Sequence, residues 1–121
     1  MRMKKILVLS CSIFALQLVA CINRKGIDVQ VSNESGSIIS AVCFTTSERV
    51  DSLQLGELKN RQSVTGWLSM QANKTDGSYV LRFKLNGKKR SLSGGYYTNG
   101  GPLHSSVNYV VKSDTILTQF R

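Results

Sequence analysis

The chain of 121 residues is poor in the side chains that most chemistry requires, with one histidine, one proline, three scattered cysteines and seven Asp and Glu. A nucleophile needs a base and an orienting group beside it. The lone His104, in Gly100-Gly101-Pro102-Leu103-His104-Ser105, stands in no hydrolase-like context and reads as a loop histidine. Asp28, Glu34, Glu48, Asp51, Glu57, Asp76 and Asp114 fall mostly in turn-forming stretches, where carboxylates serve local backbone amides. No spacing matches a zinc or calcium loop, and no glycine-rich segment joins a strand to a helix as a phosphate loop does. The expectation is therefore a protein that is not an enzyme and holds neither metal nor cofactor. Apolar content is too low for a multispanning membrane protein. What is abundant is positive charge, sixteen Lys and Arg giving a formal net charge of +9.

Arg2, Lys4 and Lys5 precede an apolar run from Ile6 through Val19, broken only by Ser10, Cys11, Ser12 and Gln17. A basic head followed by a run shorter than the ~20 apolar residues of a spanning helix is the layout of a secretory signal. The run closes on Leu18-Val19-Ala20-Cys21, and here the chain resembles a bacterial lipoprotein precursor, whose lipobox has Leu, a small or aliphatic residue, Ala or Gly, and then Cys. The resemblance implies that residues 1–20 are a cleaved signal peptide and that the Cys21 thiol takes a diacylglycerol. The new amino terminus is then acylated, typically with palmitate. The competing reading is an uncleaved anchor helix or a plain secreted protein with Cys21 free. Ile22 stands where an Asp would retain a lipoprotein in the inner membrane of enteric-type bacteria. The implied destination is thus the outer membrane of the cell envelope, with the domain in the periplasm or at the cell surface.

Cleavage would remove three cations and no acids, leaving thirteen Lys and Arg against seven Asp and Glu, a net charge of +6. It would discard Cys11 and commit Cys21 to lipid, so Cys43 has no intramolecular disulfide partner. Lying in Ile38-Ile39-Ser40-Ala41-Val42-Cys43-Phe44, it is expected to be a buried, inert thiol.

After the tether, residues 21–26, the chain reads as a single β domain over residues 27–121. Ile27, Val29 and Val31 alternate with Asp28, Gln30 and Ser32, the period of a half-buried strand. Ile38 to Thr46 is a second, more apolar strand, and further candidates are Ser52 to Leu55, Ser63 to Met70, Ser78 to Leu85, Lys88 to Leu92, Ser105 to Lys112 and Thr115 to Phe120. Asn86-Gly87 is the signature of a type I′ hairpin. A two-residue loop sets Arg90 opposite Phe83 on the core side, which predicts either a bulge at Gly87 or a short edge strand letting Arg90 reach water. Val31-Ser32-Asn33-Glu34-Ser35-Gly36, Leu55-Gly56-Glu57-Leu58 and Gly77-Ser78-Tyr79-Val80-Leu81 occur in this order. In these features residues 27–88 resemble the small bacterial Ig-like modules of the cell-adhesion-related type, although Lys59-Asn60-Arg61-Gln62-Ser63 lacks their Pro-Gly corner. The fold class expected is all-β, an Ig-like antiparallel sandwich of about seven or eight short strands.

Three features are candidates for contact with a partner. Arg82, Lys84, Lys88, Lys89 and Arg90 concentrate cations on one hairpin, enough to attract anionic lipid, lipopolysaccharide or acidic glycan, although a solvated sheet edge guarded by lysines is the simpler and favoured explanation. Nucleic acid is not the expected partner. Gly94-Gly95-Tyr96-Tyr97-Thr98-Asn99-Gly100-Gly101 reads as a mobile frame around two tyrosines, one of which alternation should turn outward. Asp51-Ser52-Leu53 and Asp114-Thr115-Ile116 resemble the Asp-Ser/Thr-aliphatic triplet that carries O-glycans on exported proteins of Bacteroidota, which implies modification at Ser52 and Thr115. Two roles are open at this point. One is a non-catalytic binding or structural module, such as a subunit of a surface or secretion assembly with a protein or glycan partner. The other is an inhibitor or immunity-type lipoprotein that neutralises a toxin or lytic enzyme.

Overall fold

The computed structural model describes residues 25–121, so the expected signal segment and the expected lipobox with Cys21 lie outside the described residues. Nine strands follow one another: β1 (Gly26–Asn33), β2 (Ile39–Thr46), β3 (Ser52–Leu58), β4 (Ser63–Ser69), β5 (Gly77–Leu85), β6 (Lys88–Thr98), β7 (Gly101–Pro102), β8 (Ser106–Val111) and β9 (Ile116–Phe120). They form a four-stranded sheet in the order β4-β1-β8-β9 and a five-stranded sheet in the order β3-β2-β5-β6-β7. Packed together they make the all-β sandwich that the alternation predicts, with no helix among the described residues.

The core is what period-two patterning dictates. Ile27, Val29 and Val31 of β1, Tyr79, Leu81, Phe83 and Leu85 of β5, and Val107, Tyr109 and Val111 of β8 all turn inward and are buried. Aromatic rings tie the sheets together, Tyr79 of β5 lying 5.7 Å from Phe120 of β9 and Phe44 of β2 lying 5.9 Å from Tyr109 of β8, while within the five-stranded sheet Tyr79 is 5.8 Å from Phe44 and 5.5 Å from Tyr97, ring centre to ring centre. Such pairs contribute about 0.5–1.5 kcal/mol each beyond their buried area. Desolvation in this cluster pushes the Tyr79 hydroxyl up to about 12, with the neighbouring Tyr97 adding to the effect.

Several details depart from the sequence expectation. β1 and β8 run parallel, and the first strand neighbours the fourth and the eighth, whereas in immunoglobulin constant domains the first strand neighbours the second. β6 does not stop at Leu92 but continues to Thr98, because its partner β5 is long enough to hold it as far as the Gly77–Tyr97 pair. The tyrosine segment is therefore mostly strand. Gly95, at φ +74°, sits where the register slips between Gly77 and Tyr79, and the Phe120 ring fills the space a side chain there would need. The Asn86-Gly87 hairpin has φ of 51° and 76° and a two-residue loop that sets Arg90 opposite Phe83. Neither the expected bulge nor a short strand occurs: β6 has no neighbour on its far side at that level, and Arg90 is exposed to water.

Strand direction gives the sandwich two distinct ends. The chain comes in at the near end, where the Met70 amide donates to the Lys25 carbonyl at 3.0 Å and Gly26 pairs with Ser69. The turns after β2, β4 and β6 are at this end too. The far end gathers the turns after β1, β3, β5 and β8, including Asn86-Gly87.

Candidate functional site

On the outer face of the five-stranded sheet a groove of about 460 Å³ is lined by Arg82, Lys84, Lys89 and Arg90 together with Ala41, Cys43, Gln54, Phe83 and Ser91. Register creates it. Lys84 and Lys89 are direct cross-strand partners, and Arg82, two residues before Lys84, stands on the same face opposite Ser91. Like charges facing each other across a ladder are destabilising by about 0.2–1 kcal/mol, and no carboxylate lines the groove. Lys88 is exposed at the hairpin tip, outside it.

A bulge in β2 shapes the floor. Ala41 takes φ +50° and the register shifts between Ile39 and Val42, so both of these turn inward while Ser40 and Ala41 occupy the space between them. Alternation then restarts with Cys43 on the outer side between the inward-facing Val42 and Phe44. The thiol is buried at 8% exposure, as expected, but beneath the outer-face side chains and outside the inter-sheet core. Gln54 Nε2 donates to Cys43 Sγ at 3.5 Å.

Charge is divided unevenly between the ends. At the near end Lys25, Arg49, Lys74 and Arg121 are balanced by Asp28, Glu48, Asp51 and Asp76. The far half holds Lys59, Arg61, Arg82, Lys84, Lys88, Lys89, Arg90 and Lys112 against Glu34, Glu57 and Asp114, an excess of five positive charges. Lys112 is committed to Glu34 at 2.9 Å.

The near end is closed by Glu48, whose sequence context is that of an ordinary turn carboxylate. Glu48 accepts from the Lys74 and Thr75 amides at 3.0 Å each, from Thr75 Oγ1 at 2.9 Å, and from Asn73 Nδ2 and the Tyr97 hydroxyl at 2.7 Å each. The Lys74 amide, then Tyr97, Asn73 and the Thr75 amide hold its carboxyl at about 2, well below the ordinary 4.5. These bonds join the turn after β2 to the β4–β5 loop and to β6.

The two tyrosines separate sharply. Tyr97 is fully buried against Tyr79, its hydroxyl bound to Glu48, so it cannot be a surface recognition residue and its place among the binding candidates is withdrawn. Tyr96 is 51% exposed, and its hydroxyl donates to Asp76 Oδ2 at 3.1 Å, a bond that raises the phenol above its ordinary range. Asp76 Oδ1 also receives the Asn99 amide at 2.8 Å. His104 is half-buried with its ring 5.2 Å from that of Phe120. Ser52 and Thr115 are both exposed, Ser52 opening β3 and Thr115 in the turn before β9. Compared with protein-family models, with curated proteins and with solved structures, the chain matches none.

Proposed function

We propose that the protein is a lipid-anchored component of the cell envelope, held at the outer membrane through Cys21, which acts by binding and offers its cationic groove to an anionic polymer or protein surface beyond its own membrane. The observation that carries this reading is the placement of the charge excess relative to the point where the chain comes in. From Cys21 to Lys25 the chain spans at most ~14 Å, so an anchor at Cys21 keeps the near end close to the bilayer. β5 runs for nine residues from the near end to the far end, a length of ~30 Å at ~3.4 Å per residue. Exposed charges are screened over ~8 Å at physiological ionic strength. The Lys84–Lys89 pair would therefore be out of electrostatic reach of the membrane that carries the anchor, and attraction to that membrane is not what such a groove serves. The charge-balanced near end, closed by Glu48, suits the side that faces the anchor.

The anchoring half of the proposal is tested by labelling cells with an alkyne fatty acid and fractionating them. Wild-type protein should carry the label and sediment with the outer membrane, and Cys21→Ser should lose both properties. Unchanged membrane association of an unlabelled Cys21→Ser protein would overturn it.

A further inference from the structure

The outer face of the four-stranded sheet has a different chemistry. Register arranges its outward side chains in rows across the strands: Trp67, Asp28 and Ser106 in one, then Gln30, Asn108 and Gln119 in the next. Four strands at ~4.8 Å and rows two residues apart give a patch of about 14 by 7 Å. It is hollowed into a concavity of about 620 Å³. No Lys or Glu lines this concavity. Its charged side chains are one carboxylate, Asp28, and one guanidinium, Arg121.

Three observations narrow what fits there. Side-chain amides lie next to one another across β1, β8 and β9, and an amide presents both donors and an acceptor. A row of this kind matches adjacent hydroxyl groups, each of which is itself a donor and an acceptor, and offers little to an anion or to an apolar ligand. Asn108 Oδ1 is shut off from solvent and accepts no hydrogen bond from the protein. An acceptor buried without a donor is costly, and turning the Asn108 amide outward would let a hydroxyl seated between Gln30 and Gln119 satisfy it. Trp67, the chain's single tryptophan, is held in place from below: at Gly26 any side chain would run into its indole ring and the Leu68 carbonyl. A half-buried indole fixed at the edge of a hydrogen-bonding row supplies an apolar plane for the C–H face of a sugar ring.

We infer that this face is a binding site for a neutral oligosaccharide, with Trp67 as its stacking wall and Gln30, Asn108 and Gln119 as its hydrogen-bonding row. It is separate from the cationic groove on the opposite sheet, and its ligand is uncharged. Saccharide binding here does not depend on whether Cys21 carries lipid, so the two claims fail independently.

Because Trp67 is the only tryptophan, its emission reports on the site directly. Full-length protein in a detergent without a sugar headgroup is titrated with cellotetraose, maltotetraose, mannotetraose and chitotetraose. At least one of these should shift the emission with a saturable curve. Gln30→Ala with Gln119→Ala, both at exposed positions outside the core, should weaken that binding at least about tenfold, the effect of losing one well-made hydrogen bond. Lys84→Glu with Lys89→Glu should leave it unchanged. Four flat titrations would overturn the proposal, as would undiminished binding by the Gln30/Gln119 variant.

Discussion

Adjacent residues Tyr96 and Tyr97 should respond to truncation in opposite ways. Tyr97 is fully buried, with its ring centre 5.5 Å from that of Tyr79 and its hydroxyl 2.7 Å from Glu48 Oε2. Replacing it by Ala removes a large core side chain and leaves a cavity, a change that costs ~3–5 kcal/mol. Typical domains have only ~5–15 kcal/mol in total. At ~4–8 °C per kcal/mol for a domain of this size, Tm should fall by at least ~12 °C. Tyr97→Phe keeps the ring and gives up one hydrogen-bonding hydroxyl, so it should cost about 1 kcal/mol. Tyr96 is half outside the protein and holds only an exposed bond to Asp76, so Tyr96→Ala should stay under ~1 kcal/mol. Thermal and urea unfolding followed by near-ultraviolet circular dichroism separate the three. Equal losses for the two alanine variants, or a Tyr97→Ala protein as stable as the wild type, would refute the assignment of inward and outward rings.

Asn33 is fully buried; its Nδ2 donates to the Ser37 and Leu58 carbonyls at 2.7 and 2.9 Å, and its Oδ1 accepts from the Ser35 amide at 3.0 Å. Asn33→Ala strands the Leu58 carbonyl and should lower the unfolding free energy by ~1–3 kcal/mol in urea titration. The Glu48 carboxyl titrates at about 2 in the folded protein, below its ordinary 4.5. A depressed carboxyl stabilises fully above the ordinary value and ceases to do so as pH falls through the folded one. The stability difference between wild type and Glu48→Gln should therefore shrink from pH 4.5 down to about 2 and level off below, whereas a constant difference across this range would contradict the clamp. Tyr97→Phe, which removes one of the bonds holding Glu48 ionised, raises the folded value, so this acid loss should still begin near 4.5 but end at a higher pH and be smaller in total.

Much of the sandwich is readable from local pattern, because a strand's inward face is written into alternate residues. Ile27, Val29 and Val31, and Tyr79 through Leu85, could be assigned to the core without knowing their partners. Asn86-Gly87 even gave the correct cross-strand pairs, since a type I′ turn dictates its own register. Features that depend on distant partners could not be read in this way. The Glu48 clamp joins residues 25 to 49 positions apart, and nothing near Glu48 distinguishes it from any turn carboxylate. Alternation required one of Tyr96 and Tyr97 to point inward but could not say which, because the slip beside Gly95 sets the phase. The glycines of that segment resembled a loop, and only the length of β5 shows that it is strand. Likewise the bulge at Ala41 moves Cys43 from the expected interior to the outer face, and the Trp67 row exists only once β1, β4 and β8 are in register. That the cations lie at the end away from the incoming chain follows from strand direction, not from composition.

The central claim is that the Lys84–Lys89 groove is a binding surface and not merely a solubilising edge. Its most direct test measures full-length wild type and Lys84→Glu with Lys89→Glu against polygalacturonate, at low and at physiological salt. The account predicts binding by the wild type that weakens steeply with salt, loss of that binding in the variant, and unchanged Tm in both. Equal binding by the two proteins at low salt would contradict it.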